Sequence, residues 1–460
     1  MNQLFLIVDD LNLVLGCYGH PAAYTPNIDW LAAGGTRFAR AYCPYPLCGP
    51  SRTAILTGQR PEAYPMPNNE VAWRDLKPEI RPLPRIFREA GYHTAGYGKI
   101  FHHGIEAARL DAWKRANPNK RLAHTYKDPG SWDESGVEEK NGDYETFAEG
   151  PGHRIDGRPY GGTSLHNIRV TNPEVLPDHL SAGAAADFLR SRPKTGGQPF
   201  FLGVGFHKPH LPFAAPEKWW AFYDSYPVED LRPPTWFQPA AVPPGTFKRD
   251  DFHRGMGEAD RRECYRGYLA CVSWMDEQVG RVLKALEAAG LDDSTLVSFV
   301  ADHGYHIGQH GQWDKMQLLD PALRVPLILA GPGIPAGQVA GATVESLDLF
   351  GTLLAFHRIE PGQAVAGKCL QPFLADPAKA STAPAFSWVN APNREGWTLR
   401  TDRYRYGLTR LDDAAPRPYL FDYRNDPEET TNLAGRPELA TVQTDLDTRL
   451  REHFATSGGP

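Results

Sequence analysis

Leu4-Phe5-Leu6-Ile7-Val8 is an unbroken apolar run that stops on two carboxylates, Asp9-Asp10. A run of this length with no alternation reads as a strand covered on both faces, the habit of a parallel sheet flanked by helices. The pattern recurs along the chain. Tyr92–Tyr97 leads into Gly98-Lys99-Ile100-Phe101-His102-His103-Gly104. Pro199–Val204 leads into Gly205-Phe206-His207-Lys208-Pro209-His210, and Thr295–Val300 into Ala301-Asp302-His303-Gly304. A fifth strand, Val325–Leu329, ends in Gly331-Pro332-Gly333. Helical spacing falls between them, over Leu180–Arg190, Glu345–Leu354 and a long segment from Glu258 to Ala289, where Tyr268, Cys271, Val272, Met275, Val279, Val282 and Leu286 form one apolar face. Strands alternating with helices predict an α/β fold with a large, mostly parallel sheet. Ligands bind such sheets beyond the carboxyl ends of the strands. Four strands that each end in polar chemistry therefore predict one shared pocket.

The remaining chain is read as accessory to that sheet. Residues 105–175 are polar and rich in Gly, Pro and Asp, and a Pro- and Trp-rich stretch runs to about 245. Both read as surface excursions that could rim a pocket, with Asn68, Asn69, Trp73 and Arg74 as further rim residues. Past residue 375, Ala385–Val389, Trp397–Arg400, Tyr404–Leu408 and Tyr419–Asp422 predict a small antiparallel sheet, and Glu438–Phe454 a closing helix. The expected division is a catalytic domain over 1–375 and a C-terminal subdomain over 376–460. A net charge of −6 gives no reason to expect nucleic acid or an anionic membrane as partner. No segment approaches the ~20 apolar residues of a membrane span. Met1-Asn2-Gln3 leads straight into a strand, which predicts a cytoplasmic protein as written, or a periplasmic or secreted one if a leader was removed. The six cysteines show no zinc spacing and read mostly as reduced core residues. A disulfide between Cys43 and Cys48 is possible by spacing.

Cys48 stands out because of its neighbours, Leu47-Cys48-Gly49-Pro50-Ser51-Arg52-Thr53-Ala54-Ile55-Leu56-Thr57-Gly58. Pro50 suits a first helical position, where its missing N–H costs nothing. Cys48 is then expected in the loop at a helix mouth, where free N–H groups favour an anion, with Arg52 reaching back one turn. The competing reading is a buried structural cysteine. Asp9, Asp10 and Asp302 suit a hard cation, since adjacent carboxylates repel unless one sits between them. A solvated pair or a helix cap is the alternative. Histidine is an unusual calcium ligand, so His303 is either a nitrogen ligand or a neighbour that orients one. Lys315 follows on a loop able to fold back over the site.

The run from Cys48 to Gly58 resembles the C-x-P-S-R…L-T-G signature of type I sulfatases, whose cysteine is oxidised to formylglycine. Phe5–Asp10, Gly98–Gly104, Phe200–Phe213, Val300–Lys315 and Val325–Gly333 resemble the same family. Gly98–His102 and His207–His210 are similar to its iduronate-2-sulfatase-like branch, and Asp426–Leu433 to its C-terminal subdomain. The resemblance implies an alkaline-phosphatase-like fold. It implies that Asp9, Asp10, modified Cys48, Asp302 and His303 hold a divalent cation, usually Ca²⁺, with Mg²⁺ or Mn²⁺ possible. It implies that Arg52, Lys99, His102, His207 and Lys315 complete the catalytic set. His207, Lys315, Arg74 and His310 are the expected substrate contacts, and a formylglycine-generating enzyme is an expected partner. Gln309 and His20 depart from the branch, which tends to carry Glu and Asp there.

The implied reaction is hydrolysis of a sulfate monoester, with a sulfated carbohydrate of uronate 2-O-sulfate type as substrate. Hydrated formylglycine has two hydroxyls: one attacks sulfur, and loss of a proton from the other, to His102, expels sulfate. His207 or Lys315 is the expected proton donor to the leaving oxygen. Phosphonate monoester or phosphodiester hydrolysis on the same fold is one alternative, and a small ester such as choline sulfate another. A non-catalytic binder of sulfated glycans is the third.

Overall fold

A computed structural model of the chain describes residues 1–64, 66, 69, 73–102, 128, 130–136, 153–154, 166–226, 242–247, 257–381 and 383–455. Its centre is a nine-stranded sheet. In spatial order the strands are Arg324–Val325, Gly35–Tyr42, Leu327–Ala330, Thr295–Ala301, Asn2–Val8, Phe200–Phe206, His93–Gly98 and Glu134–Gly136, and Gln338–Glu345 also pairs with Gly35–Tyr42. The four strands expected to end in polar chemistry are neighbours and run parallel. Their register sets Val8 beside Phe206 and Ala301, and Gly98 beside Gly205. Asp9, Lys99, His207 and Asp302 therefore leave the sheet along one edge. Apolar residues fill these strands because helices cover them: Pro177–Arg190 packs on Phe200–Phe206 and His93–Gly98, and the long helix Glu258–Ala288 packs on Pro177–Arg190.

The other half of the sheet departs from expectation. The fifth predicted strand is broken at Pro326, which has no N–H for a ladder, and both its pieces run antiparallel to their neighbours. Gly35–Tyr42 and Gln338–Glu345 are strands the apolar pattern did not announce. Arg37 and Arg40 interrupt the first and stay half-buried. Glu345, expected to open a helix, ends a strand instead, and the helix runs over Asp348–His357. Most of 105–175 and residues 227–241 of the stretch to 245 lie outside the described residues, as does Asn68. The described parts add the edge strand Glu134–Gly136, the helix Glu217–Asp224, and a three-stranded sheet of His153–Arg154, His166–Val170 and Phe213–Pro216.

Beyond residue 384 four antiparallel strands, Ala385–Ala391, Arg394–Arg400, Tyr404–Leu411 and Arg417–Asp422, form a separate sheet in sequence order. The helix Ala440–Phe454 lies on it through Leu446, Leu450 and Phe454. All six cysteines are free thiols, so Cys43 and Cys48 are not bridged. Among the described residues no helix is long and apolar enough to cross a membrane.

The join between His93–Gly98 and Phe200–Phe206 leaves no space for a side chain. The Lys99 N–H donates to Gly205 O (3.0 Å), and a Cβ on Gly205 would lie 1.9 Å from Lys99 O. Gly98 turns the chain at φ 73°. Gly205→Ala is expected to lower stability by about 3 kcal/mol, the upper end of ordinary overpacking, and to displace Lys99. A denaturant titration checks it, and an unchanged midpoint would contradict the packing described.

Candidate active site

The helix Cys48–Thr57 begins at Cys48 itself, two residues before the expected start at Pro50. Its approach is tied down from several directions. Cys43 N donates to Leu323 O (2.8 Å), and Trp388 N to Pro44 O (2.9 Å). The Tyr45 hydroxyl bonds both the O and the N of Asn390 (2.9 and 3.0 Å). Within the helix, Gly49 N donates to Asn69 Oδ1 (2.9 Å), and the Ser51 hydroxyl to Asp302 O (2.5 Å). These contacts seat the first helical turn against the strand end that carries Asp302.

Around Cys48 the separate strand ends converge. One ligand atom each from Asp9, Cys48, Asp302 and His303 lies within 4.8 Å of every other, and the same holds for Asp9, Asp10, Cys48 and His210. His303 Nε2 stands 3.3 Å from Cys48 Sγ and 3.4 Å from Asp10 Oδ1. Lys315 Nζ lies 3.2 Å from Cys48 Sγ and 2.6 Å from Asp10 Oδ1. Lys99 Nζ pairs with Asp9, and the fully buried Arg52 bridges Asp302 (2.7 Å) and Asp9 (3.9 Å). Arg52 also donates to the carbonyls of Lys99 and Ile100.

The charges shift one another strongly. Burial pushes the Cys48 thiol up, but Lys315, Lys99 and His303, with a hydrogen bond from His102, hold it well below its ordinary value. Burial disfavours the protonated His303 ring, yet Asp302 and Cys48 draw it up to about 9. Burial pushes Asp302 up to about 7 against the pull of His303 and Arg52. Asp9 is also pushed up by burial and by Cys48, and Lys99, His210 and Arg52 hold it well below the usual carboxylate range. The site thus stabilises an anion at residue 48 and gathers three carboxylates beside it, a group of residues that could hold a metal ion.

Two observations fit a bound cation. Asp9 Oδ1 is buried without a hydrogen-bond partner, an orphan acceptor of the kind an ion would satisfy. His303 Nδ1 is 2.8 Å from Gly304 O, which can only accept, so Nδ1 carries a proton and Nε2 is turned toward the carboxylates.

The family model described as sulfatase matches residues 1–357. The chain belongs to the sulfatase family. It is a sulfuric ester hydrolase. A second model, described as the C-terminal part of N-sulphoglucosamine sulphohydrolase, matches residues 308–456. A sulfatase from Formosa agariphila is 31% identical over 94% of this chain and 83% of its own length. Human iduronate 2-sulfatase is 34% identical over 79% of this chain and 65% of its own length. Among solved structures, one in complex with its substrate D-glucosamine-2-N,6-O-disulfate superposes with TM-score 0.77 at 20% identity, over 99% of this chain and 98% of that one. The sheet described above is thus the alkaline-phosphatase-like fold of this family.

In this sulfatase Asp9, Asp10, Cys48, Arg52, Lys99, His102, Asp302, His303 and Lys315 come together in one place. His207 lies on the same edge, with its N–H and that of Lys208 donating to Asp178 (2.7 and 3.0 Å). Two expected substrate contacts are engaged elsewhere. Arg74 is ion-paired with Asp128 and lies over the Trp73 ring, and burial lowers its pKa to about 10. His310 is buried against Phe247 and His306. Asn69 caps the Cys48 helix through its Oδ1.

Sequence reasoning placed His210 at the shared pocket without a role and left Asp178 and Arg394 out. His210 Nδ1 faces Leu211 O (2.6 Å), and Nε2 approaches Asp10 Oδ2 (3.8 Å); the signal was present in the His207–His210 run. Asp178, in the first turn of Pro177–Arg190, fixes the backbone of that run. Arg394 donates to Met316 O (2.6 Å), and Met316 has φ 70° directly after Lys315. Nothing local in the sequence marks the last two, because each acts across a long chain separation.

Proposed function

We propose that the chain hydrolyses sulfate monoesters of a sulfated carbohydrate, of uronate 2-O-sulfate type, with residue 48 acting as formylglycine. The observation that carries the reading is Cys48 Sγ inside the cluster of Asp9, Asp302 and His303, with Lys315 3.2 Å away. The carbohydrate class rests on the likeness to human iduronate 2-sulfatase. Asp9, Asp10, residue 48, Asp302 and His303 would hold Ca²⁺, with Mg²⁺ or Mn²⁺ as substitutes. Such an ion supplies Lewis-acid stabilisation of negative charge. Formylglycine, once hydrated, supplies a hydroxyl nucleophile with a second hydroxyl beside it, and a formylglycine-generating enzyme would install it.

The chain's own residues do the rest. Lys99 and Arg52 neutralise Asp9 and Asp302 and fix their orientation. Lys315 meets both residue 48 and Asp10, so its ammonium stands where sulfate oxygens would arrive. His102, hydrogen-bonded to residue 48, is placed to take a proton from it. His207 or Lys315 is the donor for the leaving oxygen. Residues 1–375 carry this chemistry, and 376–460 form a subdomain that braces it.

The test is sulfate release from a panel of sulfated uronate disaccharides, sulfated hexosamines, choline sulfate and an aryl sulfate, run beside an aryl phosphonate. Turnover of a 2-O-sulfated uronate above all others is the expected result. Faster phosphonate hydrolysis overturns the sulfate reading, and preference for choline sulfate overturns the sugar.

A further inference from the structure

Asp10 has a left-handed backbone, φ 59°, which residues with a side chain adopt rarely and keep only when neighbours hold them. Its carboxylate faces Lys315 and His303, while its backbone is gripped from the other side. There the hydroxyl of Tyr268, on the helix Glu258–Ala288, donates to Asp10 O (2.8 Å) and accepts from Asn12 N (3.1 Å). One oxygen thus spans the bend at both ends. The Tyr268 ring is fully buried, stacked on Tyr305 (6.1 Å between centroids) and edge-on to Phe213 (5.8 Å). Asn12 continues the brace: its Nδ2 donates to Tyr305 O (2.8 Å), and its Oδ1 accepts from Val14 N (3.0 Å). Asp10 N completes the grip by donating to Asp302 Oδ1 (3.2 Å).

We propose that Tyr268 is a positioning residue of the cation site, its hydroxyl holding Asp10 in the left-handed conformation that delivers the carboxylate to the ion. The inference rests on the cation reading given above. A hydroxyl so placed lowers the reorganisation needed on binding, as groups behind a metal ligand generally do. The bulk of the ring serves packing, and the oxygen alone serves the site, so Tyr268→Phe separates the two roles.

The experiment uses full-length protein co-expressed with a formylglycine-generating enzyme, stripped with EDTA and titrated with Ca²⁺ by calorimetry. Tyr268→Phe is expected to bind Ca²⁺ about tenfold more weakly than wild type, the lower end of the usual cost for such partners. Tyr265→Phe, on the same helix, removes a hydroxyl that bonds His20 (2.7 Å) and is expected to bind as wild type does. The two stripped variants are expected to melt close to stripped wild type. Ca²⁺ affinity of Tyr268→Phe within about twofold of wild type overturns the proposal. A large fall in the melting temperature of stripped Tyr268→Phe also overturns it, by making the hydroxyl a folding element. Wild type that takes up no Ca²⁺ overturns the cation reading itself.

Discussion

Cys48→Ala is expected to abolish sulfate release, lowering kcat/KM by on the order of 10⁴ or more, as loss of a nucleophile does elsewhere. The side chain is fully buried and small, so its truncation should cost stability only about 1 kcal/mol. The scale of the kinetic loss follows from the surroundings. Lys99, Lys315 and His303 all lower the pKa of this one position, and Lys315 and His303 both touch its sulfur. Cys48→Ser sharpens the test. A serine hydroxyl can take the sulfonate group from substrate but offers no second hydroxyl to expel it, so at most one turnover should leave the residue-48 peptide heavier by a sulfonate. Initial rates on a sulfated saccharide, with mass spectrometry of that peptide, check both. Cys48→Ala with activity within tenfold of wild type would remove residue 48 from the reaction.

The half of the sheet that carries the proposed chemistry is the half the sequence announces. Asn2–Val8, His93–Gly98, Phe200–Phe206 and Thr295–Ala301 are buried on both faces, so they contain few polar residues and their ends stand out. The site is legible for the same reason, since a charged residue directly after such a strand must sit at the sheet's carboxyl edge. Gly35–Tyr42 and Gln338–Glu345 lie beyond that protected centre and keep partly exposed positions, which erases the apolar pattern. Arg74 and His310 are placed in ways that spacing does not report. Both are polar residues in the right neighbourhood, but Asp128 in one case and a buried ring cluster in the other take up their side chains. Asp128 and Phe247, both more than fifty residues away in the chain, help to decide this.

The C-terminal sheet has a role that composition alone hides. Its first strand holds the approach to Cys48, through Ser387 Oγ to Cys43 O (2.7 Å) and Asn390 to Tyr45. Its second holds the residue after Lys315, through Arg394 to Met316 O (2.6 Å). Met316 N in turn donates to Pro46 O (3.0 Å), which joins the two segments. Residue 48 and Lys315 are therefore braced by one body, and their 3.2 Å separation is a tertiary property shared between these two residues and the sheet behind them.

Asp302→Ala is expected to cost both activity and stability, and the two losses have different physical origins. Arg52 is fully buried and makes its short ion pair with Asp302 (2.7 Å), while Asp9 is 3.9 Å away. Removing the carboxylate leaves a guanidinium in the interior with one distant counter-charge, a loss of about 3–5 kcal/mol for pairs of this kind. The Asp10 N–H loses its acceptor in the same step. Activity should fall by three orders of magnitude or more, on the order of the cost of removing an essential catalytic group. Adding Arg52→Met to Asp302→Ala separates the causes. The buried charge disappears, so stability should recover in part, because an apolar side chain of similar length needs no partner. Activity should not recover, because a carboxylate of the cation cluster is still missing. Denaturant titration in EDTA reads the first effect and sulfate release in Ca²⁺ the second. Recovery of turnover in the double variant would mean that Asp302 serves only to neutralise Arg52, and that the cation is held without it.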